Sequence, residues 1–201
     1  MNGVGIILRQ HPIHKVILLA NVVRTICKPW RNEDLRNKYL FLFVISSALI
    51  IIDQYTKFMI TMHIPLNYSV KVVEGFFNLT HIRNSGVAFG IFSDQQSELK
   101  PYFLIFVSII AIIAILIIFH QTGKEKRLVQ TALVLIFSGA IGNLIDRVLH
   151  KEVIDFIDLF INNQHWPAFN IADSCITIGV MFMAADMFSG KSSPVPPENP
   201  I

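Results

Sequence analysis

The chain has 201 residues, of which 53% are hydrophobic and 15% charged, and its mean hydropathy is +0.54. Soluble domains carry about 25% charged residues, so this composition argues against an ordinary water-soluble enzyme and for a protein that lives in a bilayer. The formal charge of +3 supplies no basic face for nucleic acid, and the two cysteines, Cys27 and Cys175, are too few for a disulfide framework.

Residues 1–37 form a basic extension, with Arg24, Lys28, Arg31 and Arg36 leading to Lys38. The apolar run 13–23 within it is interrupted by Lys15 and Asn21 and is too short to span. It lacks a small-residue cleavage pattern, so no removed signal peptide is expected. An interfacial amphipathic helix and a disordered extension both fit, with the bases as a cytoplasmic anchor. The first span is expected over residues 39–62, because about 20 apolar residues cross the hydrocarbon core. Asp53 precedes Lys57 by four residues, a favourable helical pair. The expected role of this pair is support, with Lys57 snorkelling toward the surface.

Residues 63–100 form the longest hydrophilic connection. The stretch YSVKVVEGFFNLTHIRNSGVAFGIF is rich in Val, Phe and Ile and is broken at Glu74–Gly75 and Ser85–Gly86. It predicts a small antiparallel β-element over about 66–92. Asn84 and Gly86 fall at its turn, where turn geometry alone accounts for both. The second span, 101–119, is uncharged and reads as lipid-facing, with Pro101 suited to a first helical position. The hinge QTGKEKR, 121–127, holds Lys124, Lys126 and Arg127. A third span is expected over 128–149, where Ser138 and Gly142 would let a neighbouring helix approach closely. A fourth is expected over 170–188, and Cys175 inside it reads as a free thiol, like Cys27. The proline-rich tail 190–201 reads as disordered. Bases crowd the segment before the first span and the hinge, but only Lys71, Arg83 and Lys100 occupy 63–100. Positive-inside reasoning therefore puts both termini and the hinge in the cytoplasm.

Between the last two apolar segments lie Asn143, Asp146, Arg147, Asp155, Asp158, Asn170 and Asp173. Ionisable groups at membrane depth are costly and mark functional sites. Two carboxyls in one place cannot both ionise comfortably, so such a pair holds one proton and can activate water while protonating a leaving group. Asp155 and Asp173 suit this role, each in an apolar frame at a span boundary. Taken singly they have plainer readings. Asn170 and Asp173 fit an N-cap and a first-turn acid. Asp155 fits a solvated loop acid, with Asp158 an equal candidate as partner. Taken together with Asn143 and Arg147, four residues apart on one helical face, they read as a site.

Five blocks carry a family resemblance: DQYTK at 53–57, RNSGVAFG at 83–90, GNLIDR at 142–147, VIDFID at 153–158 and FNIAD at 169–173. In order and spacing they resemble the signature blocks of lipoprotein signal peptidase (signal peptidase II), a bacterial membrane aspartic endopeptidase. The resemblance runs from about residue 38 to 188. It implies that Asp155 and Asp173 are the catalytic dyad, that Asn84, Gly86, Asn143, Arg147 and Asn170 line the site, and that Asp53 and Lys57 form the first-span motif. It further implies a prolipoprotein substrate cut before a lipid-modified cysteine, at the outer face of the bacterial inner membrane.

The expected fold is mainly α: an integral membrane bundle of four transmembrane helices with a small extracytoplasmic antiparallel β-element. A monomer suffices, membrane lipid is the expected surround, and no cofactor is needed. A metal is disfavoured because carboxylates are few and His150 and His165 have no ligand-like spacing. The rival reading is a small transporter or proton channel, which would also carry intramembrane Asp and Arg. It would be expected to show internal repeats and broken helices, and the sequence shows neither.

Overall fold

A computed structural model describes residues 32–86, 99–162 and 164–189, without the side chains of 32–34. The expectations for residues 1–31 with Cys27, for the β-element beyond residue 86 and for the tail 190–201 lie outside the described residues. The chain divides into two compact units, Met1–Lys38 and Tyr39–Ile201. Of the first, only the opening of a helix is described.

Four helices are long and apolar enough to cross a membrane. They are α1 (Asn32–His63), α2 (Leu99–Gln121), α3 (Arg127–His150) and α4 (Ile171–Phe188). The predicted spans 101–119, 128–149 and 170–188 match α2, α3 and α4 to within about two residues, as boundaries normally do. The first helix begins seven residues before the predicted span at 39, so Arg36 and Lys38 lie within it. On α2, Phe103, Phe106, Ile109, Ile110, Ile113 and Ile117 are exposed. Such a surface would drive association in water, whereas in hydrocarbon it needs no protein partner.

Helices α3 and α4 pack backbone to backbone, and glycine is the reason. A Cβ added at Gly139 would collide with the Ala172 carbonyl oxygen and come 2.7 Å from Ile176 Cγ1. One added at Gly179 would lie 2.7 Å from the Ala132 carbonyl oxygen. The small-residue face was expected at Ser138 and Gly142. Gly139 is the member of that run that meets the α4 backbone, whereas Ser138 Oγ bonds its own helix at the Val134 carbonyl, 2.6 Å away. A Cβ added at Gly142, one turn on, would lie 2.6 Å from Asp53 Oδ2 of α1 and 3.2 Å from the Ala172 Cβ.

The β-element is larger than the sequence suggests. Strands β1 (Ser69–Val73) and β2 (Phe77–Asn84) are joined through Glu74–Gly75, with Gly75 at φ 74°. To these are added β3 (Val153–Ile161) and the short β4 (Gln164–His165), in the antiparallel order β1-β2-β3-β4. The segment VIDFIDLFI reads as a connection between spans, but here it is a strand paired with β2, Ile82 opposite Asp155 and Asn84 opposite Val153. Phe169 bridges to Ile157 on β3, which brings the start of α4 against the strand.

Ile60 of α1 and Ile64, just past its end, pack with Phe156 of β3, so the sheet rests on the carboxyl-terminal end of α1. A separate cluster of Leu42, Phe119, Val129, Leu133 and Val134 ties α1, α2 and α3 at the hinge end. Everything polar described below gathers at the sheet end.

Candidate active site

The site is assembled where five elements meet: the carboxyl-terminal third of α1, the last turns of α3, strands β2 and β3, and the first turn of α4. Asn170 is the N-cap of α4. Its side chain accepts from the Asp173 amide at 2.9 Å while Asp173 Oδ2 accepts from the Asn170 amide at 3.3 Å, a reciprocal capping box. This is the plain structural role the sequence suggested, but it is only half of what Asn170 does. Its Nδ2 also donates to Asp155 Oδ1 at 2.7 Å, so one fully buried amide joins both acids.

Asp155 is 2% exposed and its second oxygen accepts from Asn84 Nδ2 at 2.9 Å. Burial is the largest influence on its carboxyl and raises its pKa from 3.8 to about 6. Asp173 pushes in the same direction, while the hydrogen bonds from Asn84 and Asn170 and the charge of Lys57 oppose it. Asp173 Oδ1 accepts from Asn143 Nδ2 at 2.7 Å. It lies in the first helical turn, where the helix dipole favours negative charge.

The amide of Asn143 is oriented by its surroundings. Its oxygen accepts from Lys57 Nζ at 3.1 Å, leaving its NH₂ to face Asp173. Lys57 was expected to snorkel, but it is 2% exposed and its ammonium lies 2.8 Å from both Asp53 Oδ2 and Asp146 Oδ2. With Asn143 these three acceptors use all three ammonium protons, which offsets the cost of burying the charge.

Arg147 is half-buried and within electrostatic reach of Asp173, Asp146 and Asp155. Among the described residues nothing hydrogen-bonds its guanidinium. Gly86, at φ 75°, donates its amide to Asn84 Oδ1 at 2.8 Å, and a Cβ there would lie 2.6 Å from Leu104 Cδ1. Gly86 thus fixes the turn that orients Asn84.

Asp53, Lys57, Asn84, Gly86, Asn143, Arg147, Asp155, Asn170 and Asp173 therefore share one end of the bundle. Asp158, an equal candidate for pairing, does not join them. An odd spacing on a strand turns it to the opposite face from Asp155, where it accepts from Asn78 and pairs with His165 at 2.7 Å. Two residues inside the quoted blocks were given no individual role. Gln54 donates to Asp53 and to Asp146, and Asp146 accepts from Lys57 and from the Ile154 amide. The signal for Asp146 was its i,i+3 spacing from Asn143, which places both on one helical face. Gln54 stands in the DQYTK block, but a single Gln beside an ion pair has no distinctive pattern of its own.

Fold and site together define the class: a multi-pass membrane enzyme with buried carboxyls at one end of four spans. Residues 45–189 match the family described as signal peptidase (SPase) II. The chain is 44% identical over 150 residues to a lipoprotein signal peptidase of Desulforapulum autotrophicum, covering 75% of this chain and 93% of that protein. It is 43% identical over 151 residues to one from Syntrophus aciditrophicus, covering 75% and 94%. A bacterial membrane enzyme solved by the in meso method at 2.3 Å resolution is similar with a TM-score of 0.67 and 36% identity, over 80% of this chain and 94% of that one. A second, at 1.9 Å resolution, gives 0.67 and 38%, over 76% and 94%. The chain belongs to the signal peptidase II family of aspartic peptidases.

Proposed function

We propose that Asp155 and Asp173 are the catalytic dyad of this peptidase and that the pair shares one proton. The reaction of the enzyme is removal of signal peptides from prolipoproteins. The observation that carries the assignment of the dyad is Asn170, whose amide bonds Asp155 and whose cap bonds Asp173. Asp155, with its raised pKa, is the acid that protonates the scissile carbonyl oxygen. Asp173 takes a proton from the attacking water and later delivers it to the departing amine, as in other carboxyl dyads. Asn143 and Asn170 orient the pair, while Asn84 and Arg147 face the substrate.

The cut falls before a lipid-modified cysteine. A bilayer boundary suits such a substrate, because its acyl chains stay in hydrocarbon while the peptide bond reaches water. The dense bases of residues 24–38 and of the 121–127 hinge support an orientation with both termini in the cytoplasm. The dyad then faces the outer side of the inner membrane. A monomer carries every residue the reaction uses.

The test is the pH profile of cleavage of a lipidated precursor in detergent. A shared proton requires Asp155 to stay protonated, and its raised pKa means the proton is lost as pH rises through about 6. The alkaline limb of kcat/KM is therefore expected near that pH. Substrate expels water and buries the pair further, so the limb of kcat is expected at higher pH. A kcat/KM profile that keeps rising through neutral pH would assign the proton elsewhere.

A further inference from the structure

The dyad sits on two different elements, so something must set the distance between them. The buried acids that do no chemistry are placed to do this. Asp146 Oδ2 accepts from the amide of Ile154, the residue before Asp155, at 3.3 Å. Asp53 Oδ1 accepts from the amide of Ala172, the residue before Asp173, at 2.9 Å. Lys57 Nζ stands between these two carboxylates at 2.8 Å from each. Gln54 Nε2 spans them a second time, at 3.1 Å from Asp53 and 3.0 Å from Asp146.

We infer that Asp53, Gln54, Lys57 and Asp146 form a clamp that sets the separation of the two dyad-bearing segments. Each jaw is a carboxylate gripping the backbone one residue ahead of a dyad member, and the ammonium and the Gln54 amide hold the jaws together. These are positioning residues; none touches the reacting atoms. Lys57 has a further hold through Asn143, whose NH₂ faces Asp173. Two buried acids and one base leave an excess negative charge, which is costly for a cluster that serves stability alone. A spacing role accounts for the second acid, because each segment needs its own acceptor.

The inference rests on the dyad assigned above, and its test separates the two. Lys57→Met, Asp146→Asn and Gln54→Met are compared with wild type for kcat, KM and the alkaline limb of kcat/KM, alongside melting in detergent. Misplacing reacting groups by about 1 Å costs about 100-fold in rate, so each variant is expected to lose about 10- to 100-fold in kcat with KM little changed. Separated carboxyls repel less, so the limb is expected to move to lower pH in Gln54→Met, where no charge is lost, whereas in Lys57→Met the loss of the opposing ammonium charge works against that shift.

The charged groups that bear on Asp155 are Asp173, Lys57 and Arg147. If the cluster acts only through its charges, the limb moves up in Lys57→Met, down in Asp146→Asn and not at all in Gln54→Met. That pattern overturns the clamp, as does a folded Gln54→Met with unchanged kcat and limb. Should Lys57→Met fail to fold, the uncharged Gln54→Met decides alone. Asp155→Asn or Asp173→Asn remaining active would instead remove the dyad itself, whatever the clamp variants do.

Discussion

Asp155→Asn and Asp173→Asn are each expected to lower kcat for precursor cleavage by about 1,000-fold or more. Loss of one acid–base partner typically costs 100- to 10,000-fold, and a pair that shares a proton fails altogether when either member cannot take part. The fold should survive. A raised carboxyl pKa means that Asp155 contributes stability below pH 3.8 that is lost as pH rises through about 6. Ionised Asp155 is therefore a burden at pH 8, of about 3 kcal/mol for a shift of roughly two units. An uncharged Asn removes that burden but leaves one amide, from Asn84 or Asn170, without its acceptor, a cost of about 1–3 kcal/mol. Melting of Asp155→Asn at pH 8 should thus be close to wild type or above it. An Asn variant that melts far below wild type at pH 8 would mean that Asp155 holds the structure rather than runs the reaction.

The second large effect is expected from a residue that has no polar atoms in its side chain. Gly139→Val places a branched side chain where even a Cβ collides with the Ala172 carbonyl oxygen. That oxygen is main chain in the first turn of α4, so relief requires the helix to move and not merely a side chain. Overpacking of this kind costs about 1–3 kcal/mol. Because Ala172 also donates to Asp53 and precedes Asp173, the displacement reaches the site. Lowered melting and a loss of about 100-fold in kcat should appear together. Gly142→Ala is a useful contrast, since the atom its Cβ meets is the Asp53 carboxylate at 2.6 Å. A side chain can turn, but this one is held by Lys57 and Gln54, so its loss should fall mainly on activity.

The parts of the structure that depend on local pattern were legible in the sequence. Long apolar stretches coincide with three helices nearly to the residue, and Glu74–Gly75 marked the turn between β1 and β2, where a positive φ favours glycine. Strand β3 was not legible. Its acids recur every third residue, which spoils the two-residue alternation of a half-buried strand, and its partner Asn84 lies 71 residues from Asp155. The same gap explains the treatment of Asp158, which looked equivalent to Asp155 only while the segment was a loop. Lys57 was misjudged for a related reason. An i,i+4 pair on a helix is normally a surface feature, and only the arrival of Asp146 and Asn143 from α3 turns it into a buried junction. Among the described residues, side chains from the five motif blocks meet in space, Lys57 with Asn143, Asn84 with Asp155 and Asn170 with both Asp155 and Asp173.

The central claim, a proton shared between Asp155 and Asp173, is open to direct observation. Infrared difference titration of wild type against Asp155→Asn isolates the carbonyl stretch of that one protonated carboxyl. The account predicts a protonated acid present at pH 5, lost as pH rises through about 6 and absent from the variant. A carboxyl at Asp155 that is already ionised at pH 5, titrating near the ordinary value of about 3.9, would contradict it.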